Sequence, residues 1–399
     1  MVIRTSFYIA LSMFLSVASM AQGISFQSKT LKDALQRAEE EEKLVFVDAY
    51  TTWCGPCKWM AANIFPNEKL GIIYDEGFIS VQIDMEKGEG LDIAQQYQVN
   101  AYPTLLYLNS KGEVLMRSVG ASQEIQDYIE LARTAQDPEG NMLFLTAEFE
   151  KNRTNPTFMS RYLEVFSRAD MLKNEVVDDY FALVPFEKWT QAPYWQQIQQ
   201  YVQGVDFKTF AHLIDHKEEV RQIKGDSADA FFSQQILSHL YNKRYRARHE
   251  DQLRDFREEL NRWQALWPYD SSISFKLNLF DAELSKDMDL WMELAAKGTQ
   301  QFVWNDGEYL NNLAWSVYTI REERANIKEL HMALHWADRA VELYPEHYVL
   351  DTQARLRLAV GDEKGAVQAA VEAARKADEQ GLDAEEYHQF VQEIKAAKR

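Results

Sequence analysis

The only two cysteines of this 399-residue chain stand three apart, in Trp53-Cys54-Gly55-Pro56-Cys57-Lys58. A helix starting at this segment would put Cys54 at its N-terminus, where unpaired backbone N–H groups and the helix dipole favour an anion. The Cys54 thiol would then ionise more readily, and the thiolate is the attacking species. Cys57, one turn on, faces the same side and can close a short disulfide ring. Attack of Cys54 on a substrate disulfide would give a mixed disulfide, which Cys57 would resolve with release of the reduced substrate. Two cysteines are too few for a disulfide-stapled small domain or a four-thiolate zinc site. A redox pair, half of a metal site and an incidental pair all stay open on the spacing alone.

The surrounding pattern supplies elements that could hold this segment. Leu31, Ala34, Leu35 and Ala38 recur at helical spacing and run into the charged stretch Glu39 to Lys43. Leu44-Val45-Phe46-Val47 is a short continuous apolar run, the mark of a strand buried on both faces. A helix is expected from the Cys-Gly-Pro-Cys segment toward Phe65, a strand over Phe78 to Ile83 and a short helix over Leu91 to Tyr97. Thr104 to Asn109 and Glu113 to Ser118 read as two strands joined by Ser110-Lys111-Gly112. Ser122 is the expected N-cap of a helix carrying Ile125, Tyr128, Ile129 and Leu131. The order α-β-α-β-α-β-β-α predicts a mixed sheet, part parallel with a closing hairpin, flanked by helices. The turn cluster Asp137-Pro138-Glu139-Gly140-Asn141 is the expected domain boundary.

Position by position, Val47-Asp48-Ala49-Tyr50-Thr51-Thr52-Trp53-Cys54-Gly55-Pro56-Cys57-Lys58 resembles the active-site strand and motif of the thioredoxin family. The resemblance covers roughly Leu31 to Ala135. It decides among the readings of the cysteines: it implies that Cys54 and Cys57 form a redox-active disulfide. It implies that Asp48 is a buried carboxylate assisting deprotonation of Cys57, and that Trp53 shields the site and shapes the substrate surface. Pro103, in Tyr102-Pro103-Thr104, matches the family's cis-proline. That assignment rests on the resemblance, since most prolines are trans. A cis bond would set the Tyr102 backbone against the disulfide, ready to pair with an extended substrate segment. One position departs from the family. Many thioredoxins carry a Lys near the buried Asp, and aligning the Ile83-Asp84 strand end puts Ser80 there. The stretch Ala61 to Glu76 is also longer and less regular than in compact cytosolic members and looks more like exported thioredoxin-like proteins. No cofactor and no metal are expected.

Arg4 precedes the apolar run Phe7 to Ala18, and Ser19-Met20-Ala21 follows with small residues where a signal peptidase reads. Residues 1–21 therefore read as a secretory signal, cleaved before Gln22. The run is shorter than the roughly 20 apolar residues of a membrane-spanning helix. The mature protein is expected to be exported, to the periplasm if the source is Gram-negative, where disulfides persist.

Residues 22–137 thus form the expected thioredoxin-like domain. From Leu143 onward the patterns are amphipathic-helical with almost no strand alternation. Near the end, Ala333 to Pro345 and Ala366 to Ala377, about 33 residues apart, resemble second helices of tetratricopeptide-like units. Leu310 to Tyr318 and Tyr348 to Leu358 would be their first helices. The expectation is an α/β thioredoxin-like domain followed by an all-α helical-repeat domain: a helical region over 138–300 and tetratricopeptide-like repeats over 301–399. Eight of the ten tryptophans lie beyond residue 185 and read as helix-packing residues. His212 and His216, and His331 and His335, have helical spacing but no third ligand.

The net charge of −19 disfavours nucleic acid, whose binding needs Lys and Arg to replace counterions. The expected function is an exported thiol–disulfide oxidoreductase that reduces protein disulfides. The alternatives are a disulfide oxidase or isomerase, or a binding and assembly protein whose helical repeats recruit a peptide or protein client. With no third cysteine to relay electrons, a membrane-bound electron donor is an expected partner.

Overall fold

The computed structural model describes residues 23–319, 326–380, 382 and 384–396. The expected signal, residues 1–21, lies outside the described residues. The chain divides into two compact units, Met1–Gln203 with Phe207–Thr209, and Gly204–Asp206 with Phe210–Arg399.

The first unit is built on a mixed sheet. Its strands are β1 (Phe26–Ser28), β2 (Leu44–Tyr50), β3 (Phe78–Asp84), β4 (Thr104–Leu108) and β5 (Val114–Val119), in the order β1-β3-β2-β4-β5. β3 runs parallel to both β1 and β2, while β4 is antiparallel to β2 and β5. The helices of this part are α1 (Leu31–Glu40), α2 (Gly55–Asn63), α3 (Glu68–Gly77), α4 (Gly90–Gln96) and α5 (Ile125–Gln136).

Strand alternation sends β2 into two cores. Val45, Val47 and Ala49 pack with Leu31, Ala34 and Ala38 of α1 and Ile93 of α4. Phe46 faces the other way, against Met60 of α2, Tyr74 of α3 and Tyr128 of α5. Asp48 has the parity of Phe46, so the fold itself directs this carboxyl toward the α2 side of the sheet.

Four details differ from the sequence expectation. β1, three residues long, is too short to show a period. The stretch Ala61 to Glu76 resolves into two helices because Pro66 breaks the first. Asn67 then caps α3, accepting from the Lys69 and Leu70 amides at 3.0 and 3.4 Å. Ser122 is not the cap of α5. That helix starts at Ile125, and Ser122 Oγ instead accepts from the Glu124 amide at 3.1 Å and bonds Asp127. Finally, the turn at 137–141 is present, but the compact unit runs on past it.

That continuation has a packing cause. α6 (Met142–Asn152) and α7 (Pro156–Arg168) lie against β5. Met142, Leu145, Val165, Phe166 and Ala169 join the core that holds Met116, Tyr128 and Leu131. An open sheet edge is covered in this way. α8 (Asn174–Leu183) and α9 (Tyr194–Tyr201) complete the unit, and α10 (Lys208–Asp215) spans the division.

The second unit is helical throughout its described residues. It contains α11 (Lys217–Lys224), α12 (Asp226–Arg246), α13 (Glu250–Leu266), α14 (Ser272–Leu284), α15 (Met288–Phe302), α16 (Gly307–Thr319), α17 (Ile327–Leu343), α18 (His347–Ala359), α19 (Glu363–Glu379) and α20 (Glu385–Ala396). α16 to α19 occupy the four segments expected as paired helices. α18 and α19 approach through small residues: Ala354 packs with Ala366, Ala369 and Ala370. Trp263, Trp267, Trp291 and Trp336 are buried in helix packing, while Trp315 is exposed. Among the described residues no helix is long and apolar enough to cross a membrane.

Candidate active site

The site is assembled at the end of β2, where the chain leaves the sheet and turns into α2. The Cys54 amide donates to the Thr51 carbonyl at 3.2 Å, closing the turn. Cys54 is the N-cap of α2, and Pro56 sits in the first turn, where its missing N–H leaves no acceptor unpaired. Cys54 and Cys57 form a disulfide with a Cα–Cα distance of 5.3 Å. The Cys57 amide donates to Cys54 Sγ at 3.1 Å. The sulfur thus occupies the place of a capping oxygen, with a backbone N–H aimed at it. Both cysteines are nearly covered, at 3% and 4% exposure, while Trp53, Gly55, Pro56 and Lys58 around them are exposed.

Trp53 stands 64% exposed beside the disulfide. Its indole Nε1 donates to Glu86 Oε2 at 2.9 Å. Its ring meets Tyr102 edge-on, with centroids 5.9 Å apart. Glu86 is carried on the turn after β3, which Asp84 orders by accepting from the Glu86 amide at 3.1 Å and pairing with Lys87 at 2.8 Å. The Lys87 ammonium in turn holds the Asp84 carboxyl below its usual range. Gly90 closes the turn, because a Cβ there would collide with the Asp84 carbonyl.

The Tyr102–Pro103 peptide bond is cis. The Pro103 carbonyl accepts from the Gly120 amide at 2.9 Å, and Thr104 Oγ1 donates to the Ala101 carbonyl at 2.8 Å. These bonds fix the segment that carries Tyr102 against Trp53.

Asp48 is 1% exposed. Burial pushes its carboxyl up to about 6, and a hydrogen bond from Gln82 opposes that rise. The bond runs from Gln82 Nε2 to Asp48 Oδ2 at 2.9 Å. In the parallel register Ser80 pairs with Phe46 and Gln82 pairs with Asp48. Ser80 and Gln82, two residues apart, share this face of the sheet, with Gln82 directly opposite Asp48.

The structure therefore groups Trp53, Cys54, Cys57 and Tyr102 in one surface region and buries Asp48 on the α2 side of the sheet. It adds Gln82 and Glu86, neither of which carried a sequence signal. Among the described residues no three His, Cys, Asp or Glu side chains converge. His335 instead packs on Trp304, with centroids 5.0 Å apart.

A mixed five-stranded sheet, with a cysteine pair at the start of the helix after its central strand, is the thioredoxin fold. Comparison with known proteins agrees. The thioredoxin family model matches residues 24–131. Thioredoxin-1 of Saccharomyces cerevisiae is 41% identical over 97 residues, covering 24% of this chain and 85% of its own. Thioredoxin-T of Drosophila melanogaster is 33% identical over 84 residues, covering 21% of this chain and 50% of its own. Protein disulfide isomerase-like 2-2 of Oryza sativa subsp. japonica is 32% identical over 109 residues, covering 26% of this chain and 28% of its own. The chain thus spans half or less of the fly and rice relatives. It belongs to the thioredoxin family, whose members act on protein disulfides by thiol–disulfide exchange.

Proposed function

We propose that this protein is an exported thiol–disulfide oxidoreductase that reduces protein disulfides through the Cys54–Cys57 pair. The observation that carries this reading is the capping geometry, in which a helix N-terminus aims a backbone N–H at Cys54 Sγ, 3.1 Å away. That arrangement favours the Cys54 thiolate as nucleophile. In the reductive cycle Cys54 attacks one sulfur of the substrate disulfide. The S–S bond breaks as the Cys54–substrate bond forms, and the second substrate sulfur leaves as a thiolate. Cys57 loses its proton to Asp48 and attacks Cys54 Sγ. The Cys54–substrate bond breaks as the Cys54–Cys57 bond forms, and the first substrate sulfur leaves as a thiolate that takes a proton from solvent. Trp53, Tyr102 and Pro103 form the wall against which the substrate segment lies.

Each turnover leaves the pair oxidised, and the chain has no further cysteine to restore it. An external donor is required. Export, supported by the composition of residues 1–21, makes that donor a membrane-bound protein; in a Gram-negative source the compartment is the periplasm. The helix pairs of α16 to α19 are tetratricopeptide-like and recruit the peptide or protein client, in keeping with the use of helical arrays as binding surfaces.

The test is reduction of a protein disulfide driven by dithiothreitol. The mature protein accelerates it, and Cys54→Ser abolishes the acceleration. Equal rates for the two would refute the proposal. A Cys54→Ser, Cys57→Ser double variant that keeps its biological role would instead favour a binding and assembly protein.

A further inference from the structure

The hydrogen bond from Gln82 joins two residues in opposite environments. Asp48 is buried, whereas Gln82, on the same sheet face one strand away, is exposed. Asp48 Oδ2 is held by Gln82, and Asp48 Oδ1 makes no hydrogen bond within the protein. The carboxyl is thus pinned through one oxygen by an amide that reaches solvent, and its other oxygen is left to take up a proton.

We infer that Gln82 is a positioning residue for the resolving step: it fixes the Asp48 carboxyl, stabilises its ionised form and so sets the pH range in which Asp48 accepts the Cys57 proton. This rests on the proton-accepting role given to Asp48 above. In the step concerned, the Cys57 S–H proton passes to Asp48 and the Cys57 thiolate attacks Cys54 Sγ. The Cys54–substrate bond breaks, and its electron pair leaves on the substrate sulfur, which takes a proton from solvent.

Gln82 suits this task in a way a lysine would not. Its Nε2 donates to the carboxylate, and a half-turn of the amide offers Oε1 to the protonated acid. A lysine donates only, and so favours the ionised form alone. Other groups on this side include Ser80 of β3, whose buried hydroxyl makes no hydrogen bond within the protein, the cysteine pair of α2, Tyr107 of β4, Tyr128 of α5 and Tyr74 of α3, which bonds Tyr107 at 2.6 Å. Burial, with the Asp48 charge adding to it, pushes the Tyr107 and Tyr128 phenols up, so both stay neutral. Burial and the Gln82 bond are the influences on Asp48 itself.

The experiment follows the Asp48 carboxyl carbon shift against pH in the oxidised full chain, for wild type, Gln82→Leu and Gln82→Lys. The same proteins are assayed for the pH dependence of single-turnover release from the mixed disulfide. Loss of a charge-assisted donor in Gln82→Leu should raise the Asp48 midpoint by about one pH unit. Gln82→Lys should lower it, and the release profile should move in the same direction in each case. An unmoved midpoint in folded Gln82→Leu overturns the inference. A midpoint that moves while release keeps its pH profile also overturns it, and locates the failure in the role given to Asp48 rather than in its coupling to Gln82.

Discussion

Cys54 caps the helix that carries its own redox partner: the Cys57 amide donates to Cys54 Sγ at 3.1 Å. The two sulfurs therefore have unequal duties. In the proposed cycle Cys54, with the helix N-terminus behind it, attacks first, and Cys57, one turn inside, resolves. Cys57→Ser should keep the first step and lose the second, so that mixed disulfides with substrate accumulate. Cys54→Ser should form none. Non-reducing electrophoresis or intact mass measurement separates these outcomes, and multiple turnover should be lost in both variants.

Asp48 carries a stability cost that depends on pH. Its carboxyl titrates near 6 in the folded chain, against 3.8 for the ordinary group. Below pH 3.8 the acid is neutral in both states, and its contribution to folding is intact. As pH rises through 6 the folded state must hold a buried charge, and that contribution is lost. The difference amounts to about 3 kcal/mol at pH 7. Asp48→Asn should therefore unfold at higher denaturant at pH 7, with the gain shrinking toward pH 4. The same variant should slow release of substrate from the mixed disulfide at pH 7.

Trp53 is exposed, so its removal should act on substrate rather than on folding. Trp53→Ala should raise KM for a protein disulfide by roughly tenfold, the scale of an aromatic anchor, with the unfolding midpoint nearly unchanged. Glu86→Ala frees the indole that Glu86 now holds and should move KM the same way by less. Steady-state kinetics with a folded protein substrate checks both.

Phe166 tests where the first unit ends. It stacks on Tyr162, with centroids 3.9 Å apart, and belongs to the core beneath β5. Phe166→Ala should cost roughly 3–5 kcal/mol, and amide exchange in β5 should speed up with it. A unit ending at residue 137 would leave β5 untouched.

Much of this is legible in the sequence. The run Leu44 to Val47 announced a doubly buried strand because both faces of β2 need apolar side chains. The cysteine motif announced the helix start because a Pro in the first turn and an N-terminal sulfur both suit that position. What stayed hidden was set by packing between segments distant in sequence. Gln82 faces Asp48 because of a parallel register that helices on both sheet faces impose. Glu86 reaches Trp53 across a turn whose shape depends on Asp84 and Gly90. The turn at 137–141 has clear turn chemistry, yet turn residues do not reveal that the following helices fold back onto β5.

The direction of electron flow is the central claim, and the reduction potential of the Cys54–Cys57 pair tests it most directly. The protein would be equilibrated in glutathione or dithiothreitol buffers, and its free thiols alkylated and counted by mass. The account predicts a potential clearly below the glutathione poise of about −220 to −260 mV, so that the dithiol donates electrons to substrate disulfides. A potential near or above that range would contradict it, and would make the protein an oxidant or isomerase of its substrates.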